Sequence, residues 1–152
     1  MHVIEHPTGR FESPPLLAAG DAVAEWSAGT LGGLGVTPDA LVVVTAEVGA
    51  REAVAFWAAA QQTGLRFAAP GAFPWTLANG VAGRISVVLG VRGACTTLVG
   101  TDLWDDALSQ AREDVAEHGG SVLVVHLDPS EPTTDAVPRP GTWTMQAVLL
   151  EA

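Results

Sequence analysis

The sequence contains no lysine, one cysteine, and no apolar run near the ~18 residues that a membrane span requires. Its cations are seven arginines, at positions 10, 51, 66, 84, 92, 112 and 139, set against 17 carboxylates, for a formal charge of -10. That balance argues against nucleic acid as a partner, because phosphate binding needs a basic surface. A lone thiol, Cys95, excludes an internal disulfide and a cysteine-rich metal site. The histidines at 2, 6, 118 and 126 show no paired ligand spacing, so neither a metal nor another cofactor is expected. The N-terminal stretch with His2, Glu5, His6 and Pro7 lacks the charged and apolar regions of a signal peptide. A soluble cytoplasmic protein of one domain, residues 1–152, is the expectation, with no membrane contact.

What is present points to a compact, loop-punctuated fold: 48% of residues are apolar, and 17 glycines and 10 prolines interrupt them. Residues 1–13 show no period beyond a short strand at His2 to Glu5. Pro14 and Pro15 suit the first turn of a helix that carries Leu16, Leu17, Val23 and Trp26. Gly29, Gly32, Gly33 and Gly35 read as its stop and the following turn. They do not read as a phosphate loop, since no strand precedes them and no lysine follows. Leu41 to Thr45 is β-branched and of strand length, which suits a central strand buried on both faces. Ala50 to Thr63 has helical spacing and stops at Gly64. Trp75 to Leu89 reads as a helix buried in the middle of the structure, because Ala78, Gly80, Ala82 and Gly83 would admit a close backbone. Cys95 to Val99 is a second strand, and Thr101 a candidate N-cap for the helix through Val115. Ser121 to Leu127 and Trp143 to Leu150 are further strands around a proline-rich loop, Asp128 to Gly141. Alternating strands and helices imply an α/β protein with a mostly parallel mixed sheet of about five strands covered by helices.

One stretch is more specific. Phe73-Pro74-Trp75-Thr76-Leu77-Ala78-Asn79-Gly80 continues through Ala82-Gly83-Arg84-Ile85-Ser86 to Leu89-Gly90-Val91-Arg92-Gly93. It resembles the N-terminal half of β-ketoacyl synthases, in which a Phe-Pro…Asn segment leads into a buried helix and then a strand ending at the nucleophile. Ala107, Leu108, Ala111, Gly119 and the strand Val122 to Val125 continue the likeness. The resemblance covers the chain from about Leu41 and implies a single thiolase-like half domain. Counted from Gly93, the family's nucleophilic cysteine falls on Asp102, and Cys95 lies seven residues earlier. The resemblance also places two catalytic histidines in a second half that this sequence does not contain. A Claisen condensation by this chain alone is therefore not expected.

Two site residues stand out. Asp102 occupies the nucleophile position and is either a general base or an acid complementing a helix N-terminus. Cys95 is either a packing thiol or a nucleophile that adds reversibly to a conjugated acyl chain. His126 lies near the end of a core strand, where α/β sites collect, and reads as structural when unpaired. His118 reads as a helix C-terminal cation. The tryptophans at 26, 57, 75, 104 and 143 read as core residues before they read as a tunnel lining.

Half of a two-part fold needs a cover for its apolar surface. The resemblance supplies one, since the family dimerises through the strand matching Cys95 to Val99. A homodimer or a heterodimer with a ketosynthase subunit follows. The function expected is a non-condensing, chain-length-factor-like accessory protein of a type II polyketide or fatty-acid pathway. It would handle a chain bound to an acyl carrier protein or pair with a synthase subunit. The alternative is a small isomerase, dehydratase or cyclase acting on a polyene acyl intermediate through Asp102 or Cys95.

Overall fold

A computed structural model describes the backbone of residues 2–12, 19–33, 35, 37–68, 70–129 and 142–152, with side chains from residue 25 onward apart from 51, 67, 129 and 142. The expected helix start at Pro14 and Pro15, residues Leu16 and Leu17, and positions 130–141 of the proline-rich loop lie outside these. The strands are β1 (His2–Glu12), β2 (Ala40–Thr45), β3 (Cys95–Val99), β4 (Ser121–Pro129) and β5 (Thr142–Glu151). They form one sheet in the order β1-β5-β4-β2-β3. β2 is parallel to both β3 and β4, while β5 runs antiparallel to its neighbours β4 and β1. Four strands thus point one way and only β5 is reversed, so the protein is α/β with a mostly parallel mixed sheet.

Burial explains the strand sequences. Leu41, Val42, Val43 and Val44 are all buried, as a strand covered on both faces requires. Leu41 and Val43 join a core with Leu123, Val125, Met145 and Leu149 under two helices, α1 (Ala19–Gly32) and α3 (Ala78–Leu89). Val42 and Val44 point the other way, packing with Val122, Val124, Val148 and Leu150 under a single helix, α4 (Trp104–His118). Helix α2 (Ala50–Thr63) leans instead on a 3₁₀ turn, Pro70–Thr76, where the Phe56 and Phe73 rings meet edge to face at 6.1 Å.

Several expectations are corrected. Residues 2–12 are not irregular beyond His2 to Glu5; they form an edge strand paired along β5. Its register shifts between His6 and Gly9, around Pro7, and that break hides the alternation. Of the glycines expected to stop the first helix, Gly29 lies inside α1, while Gly32 is its last residue and Gly33 begins the turn. The helix expected from Trp75 begins only at Ala78, because Pro70–Thr76 makes its own turn. The close approach there is local: a side chain at Gly80 would collide with the Pro74 carbonyl, whereas Gly83 faces open space. α3 is buried on one face, at Val81, Ala82, Ile85 and Leu89, while Val87 is 72% exposed. Thr101 is not the cap of α4, whose N-cap position is Leu103 with no side-chain bond. Of the five tryptophans Trp143 is fully buried, Trp57 is exposed and the other three are half-buried. Both central faces of the sheet are covered. The apolar surface left open among the described residues lies at the β3 edge, at Val99, on the outer sides of α2 and α3, at Val54, Trp57, Val87 and Val88, and in the segment between those helices, at Leu65, Phe73 and Leu77.

Candidate functional site

Because β2 and β4 run parallel and adjacent, their C-terminal ends bring distant residues together. The last residue of β2, Thr45, is wholly buried. Its hydroxyl donates to Asp128 Oδ1 at 2.9 Å and accepts from the Val48 amide at 2.9 Å. The same Asp128 oxygen accepts from the amides of Ala46 at 2.8 Å and Glu47 at 3.2 Å. The other carboxylate oxygen, Oδ2, meets His126 Nε2 at 3.1 Å. Burial alone would raise the Asp128 carboxyl. Its bonds with His126, Ala46, Thr45 and Glu47 outweigh that penalty and hold its pKa below the usual carboxylate value.

Strand alternation places His126 and Asp128 on the face that α4 covers. Their partners across the ladder are Gln146 and Thr144 on β5. That face changes from Val122, Val124, Val148 and Leu150, all buried, to a polar strip of His126, Asp128, Gln146 and Thr144. The change falls where α4 begins. Trp104, the first residue of α4, sets its ring 5.9 Å from the His126 ring at a tilt of 44°.

Asp102 lies beside this region, in the link between β3 and α4. Gly100, two residues earlier, donates its amide to the Thr45 carbonyl at 3.0 Å. Asp102 is exposed and has a left-handed backbone at φ 59°, the one such non-glycine among the described residues. Asparagine and aspartate tolerate that conformation better than other residues. Asp102 therefore stands outside the helix, whereas Asp105 and Asp106 occupy the first turn.

Cys95 is elsewhere. It opens β3 and is exposed in this chain, which corrects the packing reading. Desolvation of its thiol raises the pKa, and a hydrogen bond with Ser86 offsets this only in part. Val99 ends the same strand about 13 Å further on. Asp102 and Cys95 thus mark opposite ends of β3 and do not share a pocket. Two shallow clefts are lined by neither: one of about 620 Å³ at Thr37, Asp39, Gly90, Arg92 and Gly93, and one of about 410 Å³ along α2 at Val54, Trp57 and Gln61. Among the described residues, no group of three or more His, Cys, Asp or Glu side chains could hold a metal ion, and no helix is long and apolar enough to cross a membrane.

Asp128 and Thr45 are not among the residues that the sequence singles out. The available signal is the spacing His126-Leu127-Asp128, which puts two polar groups on one strand face around a buried leucine. The proline that follows makes Asp128 read as the start of a loop and conceals it.

No protein-family model matches the sequence, and no curated protein matches it. Solved structures do. The whole chain superposes on 80% of a chain of the ketosynthase ApeO in complex with its chain length factor ApeC from Xenorhabdus doucetiae, with a TM-score of 0.65 and 14% identity. It matches the ishigamide ketosynthase/chain length factor at 0.62 and 20% identity, over 92% of this chain and 44% of that one. A β-ketoacyl synthase from Burkholderia phymatum gives 0.58 and 13%, over 92% and 43%. The chain spans less than half the length of the last two. At these identities the likeness concerns the fold, and the fold of this chain is a ketosynthase-like, thiolase-type half domain.

Proposed function

We propose that this chain is a non-condensing, ketosynthase-like accessory subunit of a type II polyketide or fatty-acid pathway, and that it acts by pairing with a ketosynthase subunit. The observation that supports it best is the free edge of the sheet. Among the described residues β3 pairs only with β2, so its outer side presents unused backbone donors and acceptors to another chain. Val99 on this strand is 58% exposed, and the buried Thr97 hydroxyl has no hydrogen-bond partner among the described residues. With Asp102 where condensing relatives carry cysteine, the chain has no family nucleophile of its own.

Charge bears on how a tethered acyl chain would reach it. Acyl carrier proteins are acidic, and this chain carries -10. Arg84 is ion-paired to Glu25, which leaves Arg92 exposed in its cleft with no comparable partner among the described residues. A carrier protein would dock on the partner subunit in preference to this surface.

The test is co-expression with a ketosynthase subunit of the same pathway, followed by a sizing column. A complex that survives purification supports pairing. A chain that stays monomeric alone and elutes apart from every synthase offered refutes it. A second reading, an isomerase, dehydratase or cyclase of a tethered acyl chain, is favoured by the left-handed backbone at Asp102, a conformation often kept at functional positions. Cys95 serves that reading less well, because its raised pKa leaves less thiolate at neutral pH. Product profiles with Asp102→Asn and Cys95→Ala, unchanged from those with the unaltered protein, would remove it.

A further inference from the structure

The chain holds a base that neither proposal above uses. From the placement of His126, Asp128 and Trp104 at the start of α4, we infer that His126 is a proton-transfer site for a planar, unsaturated acyl thioester.

Three features converge. First, Asp128 is an acceptor held at Oδ1 by the Thr45 hydroxyl and two amides, so its Oδ2 fixes a proton on His126 Nε2. In the neutral imidazole that tautomer leaves Nδ1 bare and basic. The His126 side chain is 39% exposed, so the ring is within reach of a substrate without any opening of the core. Second, the Trp104 indole lies beside the ring and offers a flat apolar surface of the kind a conjugated chain stacks on. Third, α4 starts at Trp104, and its first intrahelical bond is the Ala107 amide to the Leu103 carbonyl. The amides before Ala107 have no partner within the helix, and they favour negative charge growing on a carbonyl oxygen.

The surrounding charge selects the substrate. Asp102, Asp105 and Asp106 ring the same end of α4 and are exposed. They repel a carboxylate or a phosphate in the ground state. A neutral thioester avoids that repulsion on binding; the same carboxylates oppose the charge that its carbonyl gains as the proton leaves, so the free amides of α4 must offset them. The step balances within the site. His126 Nδ1 takes a proton from the γ-carbon of a 2-enoyl thioester, and the C–H electron pair moves into the conjugated system as a dienolate. The same imidazolium returns the proton at the α-carbon, which gives the 3-enoyl isomer and restores neutral His126. Nothing is oxidised or reduced.

The experiment incubates the full-length chain with crotonyl-pantetheine in deuterated buffer and follows deuterium at the α- and γ-carbons by NMR. The expected result is exchange at least tenfold above an equal concentration of free imidazole, falling to that background in His126→Gln and His126→Ala. Added imidazole should restore exchange in His126→Ala, which a purely structural role would not allow. His118→Gln, at the far end of α4, should match the unaltered protein. Exchange no faster than free imidazole, or undiminished in folded His126→Gln, overturns the proposal and leaves the pairing of subunits untouched.

Discussion

Replacing Asp128 with alanine removes four interactions at once. Thr45 Oγ1, the Ala46 and Glu47 amides and His126 Nε2 all point at its carboxylate. A hydrogen bond to a charged group contributes about 1.5–3 kcal/mol, and stranding a buried donor costs about 1–3 kcal/mol. Thr45 is fully buried, so water cannot replace its lost partner, whereas the Asp128 side chain is 19% exposed and His126 more so. Counting the three interior donors and discounting the histidine for solvent screening gives a loss of roughly 3–5 kcal/mol. With a urea slope of about 2 kcal/mol per molar for a chain of this size, the unfolding midpoint should fall by ~2 M. Tryptophan fluorescence reads it directly, since Trp143 is fully buried and Trp104 lies beside His126. Acid supplies an independent check. The folded pKa of Asp128 lies below its unfolded value, so its stabilisation is complete above the unfolded pKa near 3.8 and is lost as pH falls through the folded one. The difference between the unaltered protein and Asp128→Ala should accordingly hold from pH 7 to 5 and shrink below about pH 4. A difference under ~1 kcal/mol at pH 7 would mean that solvent already satisfies these donors, and the network would lose its structural standing.

The edge of the sheet makes a second test: Val99→Arg puts a charge on exposed β3, which should leave the melting temperature within a few degrees and abolish the complex on a sizing column. Cys95 should alkylate with iodoacetamide more slowly at pH 7.5 than a free thiol despite its exposure, and Ser86→Ala should slow it further by removing the bond that lowers its pKa. Gly93→Ala would set a methyl group 2.5 Å from the Asp39 carbonyl oxygen, so the turn before β3 must shift, with an expected loss of about 1–3 kcal/mol by thermal melt.

Elements whose own residues carry the pattern are legible in the sequence alone. Val42, Val43 and Val44 are β-branched in a row, and Ala50–Thr63 ends at Gly64, whose amide bonds the Ala60 carbonyl. β1 is not legible as a full strand, because its pairing depends on β5, far along the chain, and a shift around Pro7 breaks the alternation. Helical spacing also misleads at α2. Val54 and Trp57 share a period with Phe56 and Ala60, yet α2 packs on a 3₁₀ turn that is too small to cover them. Asp102 can be located from its distance to Gly93, but its left-handed backbone cannot. The dyad of His126 and Asp128 is half visible: the histidine stands out at the end of a core strand, and its partner is hidden by Pro129, which suggests a loop where the strand still runs.

The exposed surface also bears on which side needs a partner. In a two-part synthase each half covers the other, so a lone half would be expected to leave an apolar helix face open. α4 does not: its sheet-facing side is Ala107, Ala111 and Val115, and its outer side carries Asp105, Asp106, Gln110, Arg112, Glu113 and Glu117, all exposed. Burying that side would strip water from five charges with no partners of their own among the described contacts, which disfavours a second half packed there. The β3 edge has the opposite character. Thr96, Thr97 and Leu98 are half-buried, Val99 is exposed, and the nearby α3 adds Val87 and Val88. Only backbone groups would need new partners, and an added strand supplies those without desolvating a charge. Between the outer side of α4 and the β3 edge, the edge is therefore where a partner is expected, as an extension of the sheet, and a single charge at Val99 is the perturbation to which that pairing should be most sensitive.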